Sequence, residues 1–203
     1  TLGKSLLFIA AAWNGSLVTR ERFSISDFWD DVRTYGCTTA FTVSVIAQLL
    51  YNQPPREDDA DNPLEAVLMG PTIPQVDEFK RRFGVNVYTT FGSTEIGSVL
   101  FSSMREVNSS NWQSSGRKMA EAPTEIAVVD EHDMPVGPGV LGELVVRPRI
   151  PWTMSLGYLN MPEETARAWR NGWFHTGDSF IYDEQGDYYC QDRTKDYIRR
   201  RGE

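Results

Sequence analysis

Apolar positions along the first half of the chain alternate between helical and strand-like spacing. Phe28, Trp29 and Val32 share one face of a predicted helix, and residues 1–13 have a helical composition. Short apolar runs rich in β-branched residues, which are typical of buried strands, lie between the helical stretches. The predicted strands are Leu17-Val18, 37–43, 64–69 and 85–88, and the other predicted helices are 44–51 and 76–83. Helices and strands in alternation predict a parallel sheet with helices packed on it.

Helical spacing disappears from about Asn108 onward, where short strands lie between glycines and prolines. The elements predicted there are strands at 125–129 and 142–147, a short helix at 162–170 that is capped by Asn171-Gly172, and a hairpin turn at 183–187. They predict a small β-rich, distorted barrel-like subdomain. The fold class expected for the chain is therefore α/β, a parallel sheet with packed helices followed by this subdomain.

Charge and composition argue against several classes of protein. The chain has 20 basic and 28 acidic residues, a net charge of −8, which argues against a nucleic-acid partner. No apolar run approaches the roughly 18 residues of a membrane span, and Leu6–Ala12 lacks the flanks of a secretory signal. Cys37 and Cys190 are too few for a disulfide framework or a zinc site, so we expect a reducing, cytoplasmic setting.

The candidate chemistry centres on residues 89–97, which follow the apolar run at 85–88. A strand that ends in small polar residues leaves backbone N–H groups and a hydroxyl directed at one place, and such an arrangement suits an anion. Glu95 places a carboxylate beside the Thr94 hydroxyl, a pairing that suits Mg²⁺, which takes carboxylates together with phosphate oxygens. Phe91 supplies a flat apolar face on which a nucleobase could stack. A solvated Gly/Ser/Thr turn explains the same residues, and the motif by itself leaves both interpretations open.

Residues 89–97 resemble the Tyr-Gly-x-Thr-Glu signature of adenylate-forming enzymes, the acyl-CoA synthetases and their relatives, with Phe91 in the aromatic position. The resemblance implies that Thr94 and Glu95 are catalytic. It also implies that Phe91, Gly92 and Thr94 bind the nucleotide and that Glu95 binds the metal.

Two downstream segments strengthen the resemblance, because they occur in the family's order. Residues 172–178 are similar to the family's Thr-Gly-Asp segment, whose aspartate, Asp178 here, accepts hydrogen bonds from the ribose hydroxyls. Residues 191–199 resemble the hinge that leads to a small mobile domain. In that resemblance Arg193 contacts the ribose and Lys195 is the pivot of the domain rotation.

Other matches to the family concern single residues or short segments. Gly70 lies in a loose match to a glycine-rich loop that contacts adenine. Gly142-Glu143-Leu144 and Gly157-Tyr158 resemble a Gly-Glu-Leu segment and a Gly-Tyr pair, which we interpret as structural, with Tyr158 as a packing residue. We expect His175 to be a packing or surface residue without a catalytic role.

The resemblance implies an ATP-dependent carboxylic acid–CoA ligase, which adenylates a carboxylate and transfers the acyl group to coenzyme A. It is nearest to the carnitine/crotonobetaine-CoA ligase group, on the pattern Arg22-Phe23-Ser24 followed by Phe28-Trp29. The implied cofactors are ATP or AMP, Mg²⁺ and coenzyme A, and the implied substrate is a small carboxylic acid. Two alternatives stay open: an adenylation unit that serves another acceptor, such as a carrier protein, and a catalytically incomplete nucleotide-binding or scaffold module.

The resemblance also implies a division of the chain. Residues 1–107 would form the α/β nucleotide-binding part of a large N-terminal domain, 108–192 its β-rich subdomain, and 193–203 the start of the hinge. The family's phosphate loop and its C-terminal domain with a catalytic lysine have no counterpart here, so we expect a central fragment. Without those groups we expect the 203-residue chain to bind nucleotide weakly and not to turn over.

Overall fold

The computed structural model describes residues 2–102 and 107–193. The helices are α1 Leu2–Ala12, α2 Phe28–Tyr35, α3 Ser44–Tyr51, α4 Val76–Phe83 and α5 Pro162–Ala168. The strands are β1 Thr39–Thr42, β2 Ala66–Met69, β3 Asn86–Tyr88, β4 Thr90–Ser93, β5 Gly97–Phe101, β6 Gly116–Lys118, β7 Thr124–Val129, β8 Gly142–Pro148, β9 Trp169–Arg170, β10 Trp173–Tyr182 and β11 Asp187–Arg193. Across these described residues, no helix has the length and apolarity needed to cross a membrane.

The first sheet is parallel and consists of β1, β2 and β3 in that order, with each pair in continuous register. Helix α4 buries Val76, Phe79 and Phe83, whose spacing puts them on one face, and they share a core with Val67 of β2. Gly84, with a left-handed φ of 67°, ends that helix. The predicted parallel sheet with packed helices is confirmed.

The second sheet is antiparallel, in the order β4-β5-β6-β11-β10-β8-β7, with β9 paired to β10. Leu100 of β5, Leu144 of β8 and Phe180 of β10 are fully buried in its core. Within the described ranges β4 and β7 are the two ends of this order and do not pair with each other, so the sheet is open. The predicted β-rich part is confirmed, but it does not close into a barrel.

The chain passes from the first sheet to the second at Thr89, between β3 and β4. Thr89 is buried; its N–H donates to Ser102 Oγ (3.1 Å), and its carbonyl oxygen accepts from the Ser102 N–H (2.9 Å). Residues 89–97 therefore enter a hairpin of the second sheet instead of forming the turn that ends a strand of the first. The division at 107/108 stays a prediction, and β4 and β5 precede it while pairing within the antiparallel sheet.

Two short elements differ from the expectation. Leu17-Val18 lies in no strand. The helix predicted at 162–170 ends at Ala168, because the next two residues pair with β10 as strand β9. Asn171 and Gly172 both have positive φ, 53° and 76°, as the two-residue turn of a β-hairpin requires. An Asn-Gly pair suits a helix end as well as a hairpin turn, and here the pairing of β9 with β10 decides for the turn.

Candidate functional site

The β4–β5 hairpin carries Thr94 and Glu95 in its connecting loop. Gly92 approaches the facing strand so closely that a Cβ atom on it would lie 2.1 Å from the Gly97 carbonyl oxygen. Only glycine fits there, and the register of the two strands shifts at the same point. Ile96 is buried and anchors the loop, whereas the Thr94 side chain lies on the surface.

Hydrogen bonds from three residues hold the Glu95 side chain and backbone, among its other interactions. Ser93 Oγ donates to its Oε2 (2.7 Å), and the Tyr158 hydroxyl donates to its Oε1 (3.0 Å). The Ser155 N–H donates to its backbone carbonyl oxygen (2.7 Å). The carboxylate is therefore fixed from two sides by neutral hydroxyls and is tied to the loop that precedes α5.

The surroundings of Glu95 fit a magnesium ion. An ionised carboxylate offers about four acceptor sites, so hydrogen bonds from two hydroxyls are compatible with a role as a metal ligand. In nucleotide sites Mg²⁺ takes one or two carboxylates and completes its ligands with phosphate oxygens and water. No group of three or more His, Cys, Asp or Glu in the described part of the chain could hold a metal. An ion at Glu95 would be completed by phosphate oxygens and water.

Aromatic packing joins the hairpin to β10. The rings of Phe91 and Phe180 lie 4.8 Å apart between centroids, at 74° between their planes, which is an edge-to-face contact. Gly70, directly after β2, also lies against the hairpin, since a Cβ atom on it would be 2.9 Å from the Thr90 carbonyl oxygen. The structure thus brings Gly70, the hairpin and β10 together from three distant parts of the sequence.

Asp178 lies in β10 next to an irregularity of the strand and is only 7% exposed. Its Cα pairs with that of Arg193 across β10 and β11, so the two residues expected at the ribose are directly opposite in register. Lys195, the expected pivot, lies outside the described residues. A carboxylate buried to this degree needs polar partners.

Sequence reasoning missed two polar residues of this region. Tyr158, expected to be a packing residue, is 37% exposed and donates to Glu95, so that prediction is wrong. Glu143 of β8 accepts from the Gly177 N–H (2.8 Å) and bonds to Nδ1 of the buried His175 (2.8 Å). Both residues lie in segments that matched the family, and the only sequence signal was one polar side chain within each.

Asp133, Glu143 and Arg170 form a charged cluster beside His175 of β10. Arg170 Nη2 donates to Asp133 Oδ1 (3.3 Å) and to Glu143 Oε2 (3.2 Å), and Asn171 also donates to Asp133. Burial would raise the pKa of Asp133, but the hydrogen bonds from Asn171 and Arg170 outweigh it and hold that pKa below its ordinary value. His175 Nε2 lies 3.8 Å from Asp133 Oδ1. Asp133 is therefore ionised at neutral pH and forms an ion pair with Arg170.

Residues 3–159 match a family described as AMP-binding enzyme. The crotonobetaine/carnitine–CoA ligase of Salmonella arizonae is 32% identical over 193 residues, which cover 93% of this chain and 36% of that protein. The chain thus spans about a third of the length of the curated relatives it matches.

Solved structures share the fold. O-succinylbenzoate coenzyme A synthetase from Bacillus subtilis, in complex with ATP and a magnesium ion, matches with a TM-score of 0.77 and 24% identity over 99% of this chain and 41% of that one. An amide bond synthetase from Marinactinospora thermotolerans matches with a TM-score of 0.77 and 23% identity over 90% of this chain and 37% of that one. Identities at this level show a common architecture.

Proposed function

Because the chain belongs to the AMP-binding enzyme family, we propose that it is the nucleotide-binding part of an ATP-dependent ligase, which activates a carboxylic acid and passes the acyl group to coenzyme A. The relatives named crotonobetaine/carnitine–CoA ligase support both the acceptor and the kind of acid. Since the chain covers 36% of their length, the activity of the whole protein is itself part of the proposal.

The observation that carries the proposal is the meeting of the β4–β5 hairpin with β10. The contact between Phe91 and Phe180 puts the strand that leads to Glu95 beside the strand that contains Asp178. A site for a magnesium-bound nucleotide needs an oxygen ligand at its phosphate end and hydrogen-bond acceptors at its ribose end. Two carboxylates on adjoining elements support such an arrangement.

We assign the phosphate end to the hairpin and the ribose end to β10. Thr94 donates its hydroxyl to a phosphate oxygen, and Glu95 holds the metal ion. Asp178 accepts hydrogen bonds from both ribose hydroxyls, because one carboxylate has an oxygen for each. Arg193, opposite Asp178 in register, is the second ribose contact, and Lys195 is the pivot of a following domain.

We assign the adenine end of the nucleotide site to Gly70 and Phe91. Gly70 has no side chain, so the backbone after β2 comes close to the hairpin. Its N–H donates to the Thr42 carbonyl oxygen (3.1 Å), so we assign the contact with the base to its carbonyl oxygen. Phe91 adds an apolar ring, and Gly92 lets the two hairpin strands approach each other behind it.

In the proposed reaction an oxygen of the substrate carboxylate attacks the α-phosphorus of ATP in line. The new P–O bond forms as the bond to the pyrophosphate oxygen breaks. The residues of this chain contribute positioning and fixed dipoles, which cost no reorganisation during the reaction. A Mg²⁺ ion held by Glu95 would supply positive charge to offset the negative charge that develops on the phosphates. The thiolate sulfur of coenzyme A then attacks the acyl carbon, and AMP leaves.

The first of these steps is independent of the acceptor. A carrier protein in place of coenzyme A is therefore the second candidate acceptor. Thioester formation with coenzyme A, measured beside thioester formation with a carrier protein, separates the two. We place the protein in the cytoplasm, where ATP and coenzyme A are supplied.

ATP–pyrophosphate exchange by the full-length protein, with a panel of acids that includes crotonobetaine and carnitine, tests the proposal. We expect exchange to depend on one class of acid and to fall by about 100-fold or more in both Glu95→Ala and Asp178→Ala. Glu125→Ala is the control, because it removes an exposed cross-strand ion pair with Arg147 on the same sheet and leaves exchange unchanged.

A folded protein that binds AMP but exchanges with no acid contradicts the proposal and favours the catalytically incomplete scaffold module. Acyl-adenylate formation by the 203 residues alone contradicts the expectation that they are inactive by themselves.

A further inference from the structure

Strand β10 bulges away from β8 over the three residues that end at Asp178. His175 pairs with Val145 and Ser179 pairs with Glu143, so three residues of β10 lie opposite Leu144 alone. The middle residue of the three, Gly177, has a φ of +72°. A bulge of this kind takes backbone groups out of the ladder, and those groups then need other partners.

Side chains supply the partners of the bulge. The Thr176 hydroxyl donates to the Leu144 carbonyl oxygen (2.7 Å) and accepts from the Asp178 N–H (3.1 Å). The Gly177 N–H donates to Glu143 Oε1 (2.8 Å). Thr176 therefore fixes the two ends of the bulge, and Glu143 fixes its centre.

Glu143 is itself held from two sides. Its Oε2 lies 2.8 Å from His175 Nδ1, and since a carboxylate oxygen only accepts, the imidazole donates from that nitrogen. Arg170 Nη2 donates to the same oxygen (3.2 Å) and also to Asp133. The Glu143 side chain is 22% exposed, so part of its charge is removed from water and the two partners replace that solvation.

We propose that Glu143 is a positioning residue: through the Gly177 N–H it sets the place of the Asp178 carboxylate, and so the affinity of the site for the ribose hydroxyls. The inference rests on the proposed function, in which Asp178 accepts from the diol. Glu143 acts through the backbone of the bulge. Among the contacts to a bound nucleotide, its removal therefore weakens those that depend on Asp178.

Titration of the full-length protein with AMP and with 2′,3′-dideoxy-AMP tests this inference by calorimetry. We expect the wild type to bind AMP more tightly than the dideoxy nucleotide. In Glu143→Ala we expect the dissociation constant for AMP to rise about tenfold, since a hydrogen bond to a charged group is lost, while that for dideoxy-AMP changes by less than about twofold. Glu143→Gln keeps an oxygen that can accept from Gly177, so we expect it to retain most of the preference for AMP.

Glu125→Ala is the matched control, because Glu125 lies on β7 of the same sheet and pairs with the exposed Arg147. It leaves both dissociation constants unchanged, and thermal unfolding of each variant verifies that it is folded. If Glu143→Ala loses the same factor of affinity for AMP as for dideoxy-AMP, the inference is overturned. An unchanged affinity for both nucleotides also overturns it.

The proposed function fails separately from this inference. If the wild type shows no acid-dependent pyrophosphate exchange but prefers AMP over dideoxy-AMP, the proposed ligase activity is contradicted. The proposed role of Glu143 is then unaffected. A wild type that exchanges pyrophosphate but binds both nucleotides equally overturns the role of Glu143 and leaves the ligase standing.

Discussion

The two sheets use their charged side chains differently. Beside the parallel sheet, Arg82 of α4 is 15% exposed, with its Nε 2.6 Å from Asp59 Oδ2 and its Nη1 2.6 Å from the Tyr51 carbonyl oxygen. These bonds tie the loop after α3 to α4 and serve the fold. In the antiparallel sheet, Glu95 and Glu143 instead accept from hydroxyl, backbone and imidazole groups around the candidate site.

The difference follows from strand regularity. The described pairs β1–β2 and β2–β3 run in continuous register, whereas β4–β5, β8–β10 and β10–β11 each contain a shift. A regular ladder satisfies its own backbone groups and leaves polar side chains to its ends and loops. At the shift between β8 and β10, the side chains of Thr176 and Glu143 instead bond to backbone groups that lie outside the ladder. Among the proposed functional residues, Gly92 and Asp178 lie at shifts of the second sheet.

The largest effect expected is on stability, from Arg82→Ala. Removal of the guanidinium leaves Asp59, 7% exposed, without its cationic partner, and we expect a loss of about 3–5 kcal/mol in the free energy of unfolding. Urea denaturation measures it. Arg56→Ala is the control in the same loop, since Arg56 is 64% exposed and pairs with Asp58 on the surface, and it leaves stability nearly unchanged. Equal losses of unfolding free energy in the two variants would contradict the structural role of Arg82, since it would then behave like a surface arginine.

Gly92→Ala tests the irregularity of the hairpin. The added Cβ would meet the backbone of β5 at 2.1 Å, so the strands have to move apart, and we expect a loss of about 1–3 kcal/mol. Gly137→Ala serves as the control, because a Cβ there has no atom within 4 Å. Urea denaturation compares the two variants. Tolerance of alanine at both positions would show that the close approach of β4 and β5 is not required.

Tyr158→Phe has the smallest expected effect and separates positioning from binding. Without its hydroxyl Glu95 loses a side-chain hydrogen bond, and we expect the Mg²⁺ concentration for half-maximal exchange to rise about threefold. The maximal rate at saturating Mg²⁺ is nearly retained.

Tyr189→Phe is the matched control, since its hydroxyl donates to Asp183 Oδ2 at the same distance, 3.0 Å. Burial and the hydrogen bond to Asp183 raise the pKa of Tyr189 to about 12, so this phenol is protonated at neutral pH. A lower maximal rate with unchanged Mg²⁺ dependence in Tyr158→Phe would place Tyr158 outside the metal end of the site.

The sequence predicted the regular parts of the fold because their information is local. Apolar spacing within 76–83 is enough to specify α4, and a run of β-branched and apolar residues is enough for β7 and β8. The β4–β5 hairpin was not predicted, since it depends on residues further along the chain: Ser102 bonds to Thr89, and Gly97 pairs with Ser93. The local sequence pattern does not indicate which distant residues will be partners.

Site residues that belong to a short sequence motif were predicted. Residues that join the site only through contacts distant in sequence were missed. Thr94, Glu95 and Asp178 come from short segments that match a known family. Tyr158 and Glu143 take their importance from Glu95 and Gly177, which are distant in sequence, and one polar residue in an apolar stretch does not reveal that partner. The roles of all these residues stay predictions.

A crystal structure of the full-length protein with AMP tests most directly the claim that the hairpin and β10 form one nucleotide site. We predict the ribose hydroxyls within about 3 Å of the Asp178 carboxylate oxygens, with the phosphate beside Thr94 and Glu95. AMP bound away from both segments, or bound to the hairpin with its ribose turned away from Asp178, would contradict that claim.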